Sequence, residues 1–121
     1  MSFKEKKYTI KKGAISKEMA RFLYEYVSLK RKVARTMFDV KYLSPYTEYF
    51  GVWNDQQVPE TYSHYSDIVM ETLLEDLRSL MEKETGLVLL PTYSYFRIYK
   101  KGDILKRHKD RAACSVSTTM N

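Results

Sequence analysis

The sequence predicts an α+β fold in a single domain spanning residues 1–121, and three observations carry that expectation. Two long stretches in the first two thirds repeat apolar residues every three to four positions, the mark of helices with one buried side. The last third instead alternates, with Tyr93, Tyr95, Arg97 and Tyr99 on one face and Ser94, Phe96, Ile98 and Lys100 on the other. The helical runs precede the strand runs, an order typical of α+β architecture.

In chain order, Tyr8 and Ile10 give Lys7 to Lys11 a weak alternation that predicts a first edge strand, broken at Gly13. Ser16 can cap a helix from Lys17, whose stripe is Met19, Phe22, Leu23, Tyr26, Val27, Val33 and Met37. Arg31, Lys32 and Arg35 fall off that stripe, and Lys30 does not. Asp39 to Tyr65 reads as a long irregular loop in which Tyr42, Tyr46, Tyr49, Phe50, Trp53, Tyr62 and Tyr65 crowd together. Aromatic side chains this dense either cover a core or wall a cleft. His64, inside this loop, is expected at the surface or as part of the next helix cap. Ser66 or Asp67 begins the second helix, whose stripe runs from Val69 through Met81 to Glu84 and stops at Gly86. Both helices are expected to stack on one face of a sheet. Leu87 to Leu90 predicts a short buried strand, Lys101-Gly102-Asp103 a turn, and Ala113 to Met120 a second alternating strand.

Composition narrows the function classes. The net charge of +6 is uneven, with 11 Lys or Arg against 3 acidic residues before position 36 and 10 against 12 after it. A basic N-terminal region can meet nucleic acid or simply solvate a helix, and no nucleic-acid recognition motif accompanies it. Cys114 is the sole cysteine, so no disulfide forms within one chain, and a reducing, cytoplasmic setting is the expectation. No segment has the length or apolarity of a membrane span or a signal peptide.

The chemistry-bearing motif is His108-Lys109-Asp110. In an extended segment, residues two apart face the same way, so an imidazole and a carboxylate present themselves together as a metal clamp. One His and one carboxylate are two thirds of the facial triad that holds Fe(II) and leaves positions open. The remaining histidine, His64, is upstream.

With its context, Tyr95 to Asp103, Leu105 to Asp110 and Cys114 to Asn121, this motif resembles the start of the jelly-roll core of the 2-oxoglutarate and Fe(II)-dependent oxygenases, nearest to the prolyl 4-hydroxylase-like group. That resemblance implies N-terminal helices packed on an incomplete double-stranded β-helix, cut short before the family's distal His. It implies His108 and Asp110 as iron ligands and Tyr99 and Thr119 as cosubstrate contacts. Arg97, on the same strand face as Tyr99, joins them as a basic partner for a dicarboxylate, and Trp53 and Tyr95 are candidate substrate contacts. The other possibility for that strand face is a solvated row of polar side chains. Fe(II) and 2-oxoglutarate are the implied cofactors, with ascorbate a candidate third, and the substrate is a peptide or small molecule. The expected truncation leaves strand edges bare, which a second copy of the chain would cover. A non-catalytic binding or assembly protein, touching nucleic acid through residues 1–35, is the alternative.

Overall fold

A computed structural model describes residues 3–41 and 48–121, so the expected roles of Tyr42 and Tyr46 lie outside the described residues. The fold is mixed: helices α1 (Phe3–Lys6), α2 (Lys17–Asp39) and α3 (Ile68–Thr85), with strands β1 (Tyr62–Tyr65) and β2 (Tyr95–Ile98). The two strands pair antiparallel, Tyr62 opposite Ile98 and Tyr65 opposite Tyr95. An isolated bridge between Val52 and Ser63 extends the pairing on the far side of β1.

The helix ends form for the reasons visible in sequence. Ser16 caps α2, its hydroxyl accepting from the Met19 amide at 3.1 Å. Asp67 caps α3, its Oδ2 accepting from the Val69 and Met70 amides, each at 3.2 Å. Gly86 ends α3 in the left-handed conformation.

Three expected strands are corrected. Lys7 to Lys11, Leu87 to Leu90 and Ala113 to Met120 all run outside regular secondary structure. Alternation marks a candidate strand, but a strand exists only when its amides and carbonyls find a paired neighbour, and among the described residues none of the three has one. Leu87 to Leu90 is also not buried as a strand: Val88 is 90% exposed. In the opposite sense, Tyr62 to Tyr65 lies within the expected loop yet forms β1, because Tyr95 to Ile98 lies alongside it.

The centre of the molecule is a chain of aromatic rings linking α2 to the sheet. Phe38 meets Trp53 edge-on with centroids 5.2 Å apart, Trp53 meets Tyr62 at 4.8 Å, and Tyr62 meets Phe96 at 5.9 Å. Contacts of this kind add about 0.5–1.5 kcal/mol each beyond the area they bury. Leu23 and Ala34 are the buried positions of α2, with Tyr26, Val27, Lys30, Met37 and Phe38 half-buried on the same side. The loop aromatics therefore divide: Trp53 and Tyr62 build the core, while Tyr49 is 83% exposed.

Tyr62 is anchored by its hydroxyl, which donates to the Phe50 carbonyl, and its ring lies against Gly51. A Cβ at Gly51 would sit 2.5 Å from that ring, and the backbone there has φ +94°. Gly51→Ala is accordingly expected to destabilise the protein by about 2–4 kcal/mol through overpacking and backbone strain together. Urea unfolding followed by circular dichroism checks this, and an unchanged midpoint would show that Tyr62 yields without cost.

The chain exposes 9794 Å² of surface. A compact monomer of its mass, 14.4 kDa, exposes about 6,800 Å². Leu87 to Leu90 and Ile104 contribute to the excess. No helix among the described residues is long and apolar enough to cross a membrane.

Candidate functional site

His108 and Asp110 lie outside regular secondary structure, after the Lys100 to Asp103 turn. That turn is fixed by Asp103, whose Oδ2 accepts the Lys100 amide at 2.8 Å and the Thr61 hydroxyl at 2.6 Å. The Lys100 amide and ammonium hold the Asp103 pKa down at about 2, with the Thr61 hydroxyl assisting.

The structure brings the expected pair together. His108 Nε2 and Asp110 Oδ1 are 3.4 Å apart, and both side chains are about one third or more exposed. His108 Nδ1 is 2.9 Å from the Lys106 carbonyl. With the neutral imidazole's proton on Nδ1 and donated to that carbonyl, the Nε2 lone pair and the carboxylate face one point. A backbone carbonyl fixing the remote ring nitrogen is the usual support of a metal-binding histidine.

Next to the pair, the Arg111 guanidinium covers the Tyr93 ring at 3.9 Å and donates to the Tyr65 hydroxyl at 3.0 Å. Cys114 is close enough to Tyr93 to raise the phenol's pKa through a hydrogen bond, with burial adding to it. The pair is thereby tied to the Tyr93 end of the β2 segment.

The expected cosubstrate residues gather elsewhere. Arg97 is held by Asp55, with Nε to Oδ2 at 2.5 Å, by Gln57 Oε1 at 2.9 Å and by the Tyr99 hydroxyl at 3.1 Å. Tyr95 donates to the same Asp55 oxygen at 3.2 Å. Burial alone would raise the Asp55 pKa, but the Arg97 bond and the Gln57 and Val58 amides hold it below the usual carboxylate value. The strand face thus carries Tyr95, Arg97 and Tyr99 together, as the alternation implies. Tyr99 is six residues beyond Tyr93, up to about 20 Å along an extended chain. Thr119 is exposed, and its neighbour Thr118 donates to Met81 Sδ at 3.3 Å. Trp53 lies between Phe38 and Tyr62 with the Arg35 guanidinium 5.7 Å over its ring. The structure therefore joins His108 to Asp110, and Arg97 to Tyr99 and Tyr95, as two separate groups.

A third group was not singled out in the sequence as a site. Asp67 is 2% exposed, yet its Oδ1 accepts the Tyr26 hydroxyl at 2.5 Å and pairs with the Lys30 ammonium. His64 is 4% exposed, so of the two expected places, surface or helix cap, the surface one is corrected, while the ring lies near the cap residue Asp67. It is buried because β1 turns it inward against Phe96, with centroids 5.6 Å apart. Its Nδ1 faces the Tyr65 carbonyl at 2.9 Å and its Nε2 the Tyr49 carbonyl at 3.2 Å, with Asp67 Oδ1 3.8 Å away. One signal was visible in the sequence: Lys30 is the member of the basic cluster that stays on the apolar stripe of α2, where a charge needs a buried partner.

These residues border a cavity of about 620 Å³, open to solvent, whose walls come from α2, residues 48–54, β1 and the start of α3. Among the described residues, no group of three or more His, Cys, Asp or Glu side chains is arranged to hold a metal ion. No family model, curated protein or solved structure matches the chain.

Proposed function

We propose that the chain takes part in Fe(II)- and 2-oxoglutarate-dependent hydroxylation, as the resemblance of its His108-Lys109-Asp110 segment implies, with those two side chains as iron ligands. One observation carries the reading: His108 Nε2 and Asp110 Oδ1 lie 3.4 Å apart with the remote ring nitrogen fixed by the Lys106 carbonyl. Donors that each lie about 2.1 Å from one ion are separated by about 3.0–3.4 Å at right or tetrahedral angles, so the pair fits two positions of a metal. Bound there with its cosubstrate, iron would supply oxidative hydroxylation of a substrate C–H bond.

The chain's own residues would orient the reactants. Arg111, next in sequence to Asp110, lies over the Tyr93 ring and donates to the Tyr65 hydroxyl. Tyr99 and Thr119 remain the proposed cosubstrate contacts, and Tyr95 and Trp53 the proposed substrate contacts, within a jelly-roll arrangement finer than the two-stranded sheet among the described residues. A second copy of the chain is the proposed source of the third ligand. The exposed apolar side chains of Leu87, Val88 and Leu90 support this, as a strip that a partner would cover.

Anaerobic Fe(II) titration with 2-oxoglutarate, read by the visible charge-transfer band and by light scattering, is the test. The expected result is a saturating band on a dimer, abolished in His108→Ala and in Asp110→Ala while circular dichroism stays unchanged. No band at millimolar iron, or a band that survives both substitutions, would remove the reading.

A further inference from the structure

The polar side of α2 is ordered as a line. Lys17, Arg21, Tyr24, Ser28, Arg31 and Arg35 follow one another at steps of four and three residues, which in a helix stacks them on one strip. At about 1.5 Å per residue, the strip runs for about 27 Å. All of these residues except the half-buried Ser28 are exposed, and the Tyr24 ring, near the middle, is 71% exposed. An aromatic ring left in water among cations is what a flat base on an anionic backbone stacks upon.

Carboxylates border the strip without entering it. Arg35 is occupied by Asp39 at 3.3 Å and by the Trp53 ring. Glu18 and Glu25 follow Lys17 and Tyr24 by one residue, about 100° round the helix. Among the described residues, Lys17, Arg21, Arg31 and Lys32 have no carboxylate at ion-pair distance, whereas Lys30, on the buried side, is matched by Asp67. Beside the middle of the strip, Ser28 and Arg31 open onto a cavity of about 240 Å³ shared with Glu60, Tyr99 and Lys100. Lys100 is held by Asp103 at 2.8 Å, so Arg31 and Glu60 offset each other there. The Tyr99 ring, 49% exposed, forms one wall. The cavity is smaller than the about 300–1,000 Å³ of drug-sized sites and suits a single ring system. Lys17, Arg21 and Lys32 exceed Glu18 and Glu25 by one charge, so order along the strip, more than net charge, selects the ligand.

We propose that this strip binds a short stretch of single-stranded nucleic acid, with phosphates on Lys17, Arg21 and Lys32, one base on the Tyr24 ring and a neighbouring base in the cavity beside Ser28 and Tyr99. A single strand is the partner because a base meets an exposed ring face to face only when it is free of its own duplex stack. This goes beyond the iron reading and does not depend on His108 or Asp110. Tyr99, a proposed cosubstrate contact, borders the cavity, so the test is run without iron and 2-oxoglutarate.

Fluorescence anisotropy of the full chain with a labelled oligothymidylate of about eight nucleotides is the test, beside an abasic oligomer of the same length, a duplex and heparin. Oligothymidylate is expected to bind at least about fivefold more tightly than the abasic oligomer, which carries the same phosphates and no bases. Its affinity is expected to fall with salt at a log–log slope of about −1.4 to −2.1, the value for two or three phosphates. Tyr24→Leu, at an exposed position, is expected to weaken oligothymidylate at least about fivefold while the abasic affinity and the salt slope hold. Arg21→Gln is expected to reduce the slope by about 0.7 for both oligomers. Circular dichroism of both variants checks that α2 is intact. Equal affinity for the two oligomers, or an unchanged affinity in Tyr24→Leu, would reduce the strip to a polyanion surface and overturn the proposal. So would tighter binding of the duplex or of heparin, or no saturable binding at low salt. Failure of iron binding in the separate titration would leave this result intact.

Discussion

Asp67→Ala is expected to lower stability by about 3–5 kcal/mol, because it leaves the Lys30 ammonium in a half-buried position without its counter-charge. Lys30 is 16% exposed at its side chain and Asp67 1%, so water does not replace the lost partner well. The same substitution removes the N-cap of α3 and leaves the Tyr26 hydroxyl without its acceptor. Against a total stability of about 5–15 kcal/mol for a domain, that loss moves the urea midpoint by a large fraction of its value. Asp67→Asn keeps the cap and loses the charge, so it falls between. Lys30→Met combined with Asp67→Asn is expected to recover stability relative to Asp67→Asn alone, because the unpaired cation is gone. Equal losses in Asp67→Asn with and without Lys30→Met would show that the unpaired Lys30 charge is not what destabilises the variant.

The pH dependence follows from the same group. Burial pushes the Asp67 carboxyl up, but the Lys30 and Tyr26 bonds outweigh it and hold the folded value below the ordinary one. Asp55 is shifted in the same direction by Arg97. A carboxylate with a depressed folded pKa contributes stability that is fully present above its unfolded pKa, about 3.9, and is lost as pH falls through the folded value. Acid unfolding should therefore begin below about pH 4, and Asp67→Asn should flatten that limb of the stability curve. An acid limb unchanged by the substitution would assign it to other carboxylates.

Helix ends were legible because their signals are local. Ser16, Asp67 and Gly86 each act on backbone groups within a few residues, so residue type and position sufficed for Ser16 and Gly86 and narrowed the second cap to Ser66 or Asp67. The strands depend on partners far along the chain. Ala113 to Met120 alternates well and forms no strand, whereas Tyr62 to Tyr65 forms one because β2 lies beside it. The site divides the same way. The His108 and Asp110 pair was legible from a two-residue spacing, and the structure joins it. The Arg97 partner was not, since Asp55 lies 42 residues upstream and reads in isolation as a turn residue. Lys30 is intermediate: its place on an apolar stripe announces a buried charge, but nothing local identifies Asp67 as the group that meets it.

The Asp55 and Arg97 pair decides whether Arg97 serves structure alone. Asp55→Ala is expected to cost about 3–5 kcal/mol, as an Arg97 side chain 8% exposed is left with its charge unmatched. Tyr99 and Gln57 would still accept from the guanidinium, but neither supplies a negative charge. A dicarboxylate does. If Arg97 is the basic partner of 2-oxoglutarate, one carboxylate of that molecule takes the place of the Asp55 side chain, and millimolar 2-oxoglutarate raises the melting temperature of the variant more than that of the native chain. Sodium chloride at matched ionic strength is the control for screening, which weakens exposed pairs without distinguishing anions. Equal stabilisation of variant and native chain would leave Arg97 as the buttress of β2 through Asp55 and take it out of the cosubstrate site, with Tyr99 then losing the neighbour that links it to a carboxylate.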